Sequence, residues 1–240
     1  MDSPTLTVLV LTVLFISTLT RSTFGFGDAL IAMPLLSLFI DVQIATPLVQ
    51  LIASVIALII VGQSWRNIDL RITWRLILSS ALGIPVGLLL LKTAPEGVII
   101  GLLAALLIGY GLYNLARPQL PQLANQCWAY GFGFVAGILG GAYNTNGPPV
   151  IIYGTLRKWS PERFRATLQG YFLPVGLVIL LGHALGGLWT RQVWQLFGLS
   201  LPIVLAAIFL GARLNRRIPP NRFDRLIYAI LVVLGVILLI

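Results

Sequence analysis

The sequence predicts an all-α integral membrane protein with about eight full transmembrane helices, two short or broken helices and an inverted internal repeat. Composition is the first ground: 58% of its 240 residues are hydrophobic and 10% charged. The mean hydropathy of +0.96 is more than a water-facing surface tolerates, so a soluble fold is excluded. The second ground is a series of apolar windows close to the length a helix needs to cross a hydrocarbon core of roughly 30 Å. The third is a glycine-rich interruption that occurs twice, about 120 residues apart.

The elements follow in chain order. Residues 6–19 form the first apolar run; the Met-Asp-Ser-Pro start has no basic residue, and no small-residue cleavage site follows, so the run reads as a retained helix. Seven further windows, 44–62, 76–91, 98–115, 128–142, 173–188, 193–210 and 226–240, complete the eight. Two pieces, 29–40 and 150–156, are too short for ordinary spans and lie beside Gly and Pro clusters; these read as half-length or broken helices. Glycines at every fourth residue (Gly133, Gly137 and Gly141; Gly83 and Gly87; Gly97 and Gly101; Gly182 and Gly186) mark faces where helix backbones approach closely.

The net charge of +9 raises the question of nucleic acid, but the basic residues sort by loop. If all ten pieces cross, one face receives Arg21, Arg66, Arg71, Arg75, Arg117, Arg157, Lys158, Arg163, Arg165, Arg213, Arg216, Arg217, Arg222 and Arg225, and the other only Lys92 and Arg191. Such a split is a topology signal that assigns the basic face to the cytoplasm and both chain ends outside. No nucleic-acid partner is expected; the lipid bilayer is. This parity depends on both short pieces crossing rather than re-entering.

The chain reads as a single transmembrane transporter domain, 1–240, made of two repeats of about 1–118 and 122–240. Gly25-Phe26-Gly27-Asp28 recurs as Thr145-Asn146-Gly147-Pro148, Ala45-Thr46 as Ala166-Thr167, Gly87 as Gly211 and Gly109 as Gly235. Equivalent loops carry opposed charge, which implies inverted orientation. Inverted repeats with interrupted helices are an architecture of secondary transporters, with substrate bound near the midplane.

The candidate site lies at the two interruptions. In Thr23-Phe24-Gly25-Phe26-Gly27-Asp28, glycine opens backbone geometry closed to other residues and leaves amides unshielded. In Asn144-Thr145-Asn146-Gly147-Pro148-Pro149, Asn146 is placed to cap and the prolines to occupy a first helical turn. Free amides at such termini favour anions. A small anionic substrate is therefore expected at the two termini, with Thr23, Asn144, Thr145 and Asn146 as neutral donors. Thr46, Gln50, Thr167 and Gln169 either extend this lining or bond across helices. Asp28 is a carboxylate placed away from an interface; it either carries a coupled ion or proton, or pairs with Arg21 or caps a helix. His183, the only histidine, reads first as a buried structural residue, with a proton relay as the alternative. Trp65, Trp74, Trp159, Trp189 and Trp194 flank span ends and read as interface anchors.

Other chemistries lack their residues. The lone Cys127 permits no intramolecular disulfide, and no metal-ligand spacing, phosphate loop or nucleophile elbow is found. The chain is expected not to be an enzyme, to need no cofactor and to draw on a gradient. A membrane assembly factor without flux is the reading from another class, and no residue marks the oligomeric state, a homodimer included.

The same residues resemble the TauE/SafE family of sulfite exporter-like permeases, in which each half carries a glycine-rich break, an apolar stretch with proline and a later Ala-x-x-Thr-like element. Here these look like Gly25-Phe26-Gly27-Asp28 to Pro34-Leu35-Leu36, and Gly140-Gly141 to Gly147-Pro148-Pro149, followed by Ala45-Thr46 and Ala166-Thr167. The resemblance covers nearly the whole chain. It implies gradient-driven movement of sulfite or organosulfonates across the bacterial inner (plasma) membrane.

Overall fold

The computed structural model describes residues 4–64, 70–116, 122–159, 161–215 and 224–239. Trp65, Arg66, Arg117, Arg216, Arg217 and Arg222 lie outside them. All the described secondary structure is helical: α1 (Pro4–Phe24), α2 (Asp28–Leu36), α3 (Val42–Ser64), α4 (Leu70–Thr93), α5 (Glu96–Ala116), α6 (Trp128–Tyr143), α7 (Gly147–Leu156), α8 (Pro161–Leu185), α9 (Arg191–Asn215) and α10 (Asp224–Ile237). The eight apolar windows and both short pieces each become one helix in the expected order.

Among the described residues α1, α3, α4, α5 and α9 are long and apolar enough to cross a bilayer. The other three of the eight fall short. α6 has 16 residues and α10 has 14, while α8 opens on Glu162, Arg163 and Arg165, leaving 170–185 as its apolar part. At 1.5 Å per residue, the nine residues of α2 and ten of α7 rise only about 14 and 15 Å, half a hydrocarbon core.

The chain forms two compact units. The first, 1–52, 94–119 and 190–240, holds α1, α2, the first half of α3, α5, α9 and α10; the second, 53–93 and 120–189, holds the rest of α3, α4, α6, α7 and α8. Neither unit follows the 1–118 and 122–240 division; each combines helices from both halves of the chain.

In the second unit α4 and α6 run parallel through interleaved glycines. A Cβ on Gly133 would collide with Leu76 and Ser79, on Gly137 with Ser80 and on Gly141 with Ile84; on Gly83 and Gly87 it would strike Phe134 and Ile138. Ser80 crosses the seam, donating to the Gly133 carbonyl (2.7 Å) and bonding the Tyr171 hydroxyl of α8 (2.8 Å). Without a hydrophobic force between helices in lipid, such close backbone packing and hydrogen bonding supply the attraction. The end of α7 returns to the side from which α6 starts. The Leu123 amide donates to the Leu156 carbonyl (3.0 Å), and Arg157 Nη1 donates to the carbonyls of Leu123 and Ala124 (2.6 and 2.7 Å).

In the first unit Gly211 of α9 lies against Leu19 and Ser22 of α1. Helices α5 and α10 are antiparallel, since Gly111 meets Tyr228 and Val232 while Gly235 meets Ala104 and Ile108. Gly111, rather than Gly109, is thus the packing partner in kind of Gly235: Gly109 is exposed and has open space around it.

Candidate functional site

The first break lies in the first unit. Gly25 and Gly27 have φ of 88° and 99°, a left-handed geometry that turns α1 into α2 without the steric cost a Cβ brings. Asp28 then opens α2, where its charge suits the positive end of the helix. Its Oδ2 stands 2.6 Å from Arg21 Nη1, and the two side chains are 13% and 7% exposed. The ion pair with Arg21, one of the sequence readings of Asp28, is present. Arg21 is accordingly a buried, paired residue inside the last turn of α1 and not a free loop charge.

Thr23 departs from its expected role as an anion donor. Its hydroxyl hydrogen goes to the Leu19 carbonyl (2.7 Å), and a hydroxyl has only one to give. Thr46 and Gln50, four residues apart on α3, are buried, and each has an interaction partner. Of Phe24, only its place at the end of α1 is described.

The second break lies in the second unit and is built differently. Asn144 ends α6 in the left-handed region (φ 56°, ψ 20°), its amide donating to Gly140 O and that of Thr145 to Leu139 O, a closure that satisfies the last carbonyls of α6. Asn146 occupies the position before α7, yet its side chain makes no capping bond. Instead it lies back over α6, where a Cβ on Gly140 would stand 3.1 Å from Asn146 Cβ. Gly147, beside the Phe172 ring of α8, is followed by Pro148 and Pro149, which have no N–H. The terminus of α7 therefore offers fewer backbone donors than the sequence expectation assumed, and side chains must make up the difference.

Those side chains are present and unspent. Asn144, Thr145 and Asn146 are 6%, 1% and 8% exposed. Thr145 Oγ1 has no hydrogen-bond partner, nor have Thr167 Oγ1 on α8 and the Tyr143 hydroxyl. The side chain of Gln169 lies outside the described residues. Leaving a buried polar group unpaired costs about 1–3 kcal/mol; Thr18 and Ser22 on α1 and the His183 ring carry the same cost, and what sets Tyr143 and Thr145 apart is that they flank a helix break. The stretch that the sequence marks out, Gly140 to Pro149, contains Tyr143 but assigns no role to its hydroxyl, and Ser80, visible as part of a Ser pair in an apolar run, lies outside it.

Two doubled features thus stand together: helix breaks that recur in sequence, and short helices that follow them. The family model described as Sulfite exporter TauE/SafE matches residues 9–238. The chain belongs to the TauE/SafE family. A relative from Cupriavidus necator, named probable sulfite/organosulfonate exporter TauE, is 26% identical over 222 residues, covering 88% of this chain and 85% of its own. No solved structure matches. As a TauE/SafE protein with several bilayer-length helices, the chain is a multi-pass membrane protein of a transporter family. Among the described residues no group of His, Cys, Asp and Glu is arranged to hold a metal.

Proposed function

We propose that the chain is a secondary transporter of small sulfur-containing anions, sulfite or organosulfonates, in the bacterial inner membrane, and that the anion is held at the break before α7. The observation that carries this reading is the pair of buried hydroxyls without acceptors in the segment of that break, Tyr143 and Thr145, with the carboxamides of Asn144 and Asn146 beside them; Thr167 Oγ1, on the part of α8 level with the middle of α7, is unpaired as well. Neutral hydroxyls and amides suit a desolvated oxyanion because they donate to it at a smaller desolvation cost than a buried cation. The amino end of α7 adds its dipole. Since α7 rises about 15 Å from the side where α6 begins, the break falls near mid-bilayer depth.

The break before α2 contributes the fixed Arg21–Asp28 pair. Asp28 cannot take a proton there without leaving Arg21 buried and uncompensated. A coupling role for Asp28 therefore requires the pair to open. Alternating access is supported by the pairing of like with like across the proposed repeats. Gly87 seats α4 on α6 at Ile138, and Gly211, its sequence equivalent, seats α9 on α1 at Leu19 and Ser22. Gly111 and Gly235, separated by the same interval as Gly87 and Gly211, face each other's helices.

The test is uptake of radiolabelled sulfite, sulfoacetate and sulfate into liposomes holding the purified protein, with and without a proton gradient. Saturable flux of one anion, lost in Asn146→Ala, is the expected result. No flux of any anion under either gradient would overturn the reading in favour of another solute or an assembly role.

A further inference from the structure

His183 is a titratable group that neither break uses. It lies in the last turn of α8, is 0% exposed, and neither ring nitrogen completes a hydrogen bond. The ring faces the backbone of Gly141 on α6. Gly141 is next to Gly140, where a Cβ would meet both Asn146 and Ile179, the residue one turn before His183 on α8, so the imidazole lies at the Asn146 end of the second break.

The surroundings hold no counter-ion. Helices α4, α6 and α7, which pack on α8, contain no Asp or Glu. The carboxylate of α8 itself, Glu162, is 21 residues away, about 32 Å along the helix. The titratable groups these elements bring are Lys92 of α4, whose Nζ donates to Gly186 O (2.9 Å), with Arg71 and Arg75 at the start of α4; Tyr143 and, at the start of α6, Tyr130; Tyr171 of α8, bonded to Ser80; and Tyr153 of α7, which packs with Phe132 and Trp159. Cations and phenols give an imidazolium no negative charge to pair with. An anion at the second break is that charge.

We propose that His183 is the proton-binding residue of transport, taking one proton from water at a ring nitrogen as the anion enters and releasing it on the other side as the anion leaves. The inference rests on the transport reading above. It makes the anion and the proton mutually dependent ligands, each raising the affinity for the other. No bond of the anion is made or broken.

Wild type and His183→Gln are compared in liposomes in two assays with sulfoacetate: counterflow against unlabelled anion at equal pH, and accumulation driven by a proton gradient, with a lumenal pH dye. The variant is expected to keep saturable counterflow with a raised KM, because it lacks the proton that raises anion affinity, and to lose gradient-driven accumulation by at least about tenfold. Undiminished accumulation overturns the proposal, and so does loss of counterflow in a variant that keeps its thermal stability. Should His183→Gln not fold, His183→Asn and the wild-type dye record decide: wild-type sulfoacetate flux without a change in lumenal pH overturns it. Absence of wild-type counterflow with any anion fails the transport reading itself, before any substitution is made.

Discussion

The break before α2 and the break before α7 solve the same problem, ending one helix and starting another in an apolar setting, with opposite chemistry. At the first, glycines supply the left-handed turns and a buried ion pair of 2.6 Å joins the helix that ends to the helix that begins. Thr23, Thr46 and Gln50 all have partners, while the hydroxyls of Thr18 and Ser22 on α1 have none. At the second, an asparagine supplies the turn, no charge is present, and three hydroxyls are left without partners. A satisfied polar group holds structure together, whereas an unsatisfied one costs stability and is retained for what it binds. The difference that separates them is charge: an ion pair fastens the first break, and on the proposed reading the neutral donors of the second are the ones that meet the anion, so a doubled motif need not mean a doubled role.

The largest effect expected from this contrast is at the ion pair. Arg21→Gln leaves Asp28 buried without its cation and should cost about 3–5 kcal/mol, read as a fall in thermal stability in detergent or nanodiscs. The double replacement Arg21→Met with Asp28→Leu removes both charges and should recover most of that loss. If Arg21→Gln leaves stability unchanged, the first break is not a scaffold and the comparison fails.

The second break should respond in the opposite sense. Thr145→Val keeps the shape and removes a hydroxyl that bonds nothing in this state, so stability should hold or rise by up to about 1 kcal/mol. Anion flux should nevertheless fall by about tenfold, the equivalent of one hydrogen bond to a charged ligand. The same change at Thr23, Thr23→Val, should leave flux nearly intact because its hydrogen is already given to Leu19. Equal losses of flux at Thr145 and Thr23 would restore the two breaks to equal standing.

How far the sequence reaches is visible in the same residues. The positions of all ten helices follow from apolar length and from the Gly and Pro clusters, because lipid forces the backbone to satisfy itself within helices. The pairing of Arg21 with Asp28, seven residues apart, was among the sequence alternatives. What could not be read was which alternative wins, since the glycine turn between them decides whether the side chains meet. The sequence also suggested that Asn146 caps α7; only the fold shows Gly140 leaving room for its side chain to lie over α6. Likewise, the spending of the Thr23 hydroxyl on Leu19 depends on a rotamer, which spacing does not specify.

The smallest expected effect tests the turn itself. Asn144 holds φ at 56°, where a side chain other than Asn or Gly is strained, so Asn144→Ala should cost about 1–2 kcal/mol and Asn144→Gly close to nothing. Stability alone cannot say whether the carboxamide also serves the anion, but the pair of variants can. If Asn144 is only a hinge, Asn144→Gly keeps full flux because glycine makes the same turn; if it is also a donor, flux drops although the protein is as stable as wild type. The ligand-site reading expects the second result, a several-fold rise in KM in Asn144→Gly. At the first break the matching experiment is Gly27→Asn, which should cost about 1–2 kcal/mol because a side chain is strained at a φ of 99°, while flux per folded protein stays near wild type.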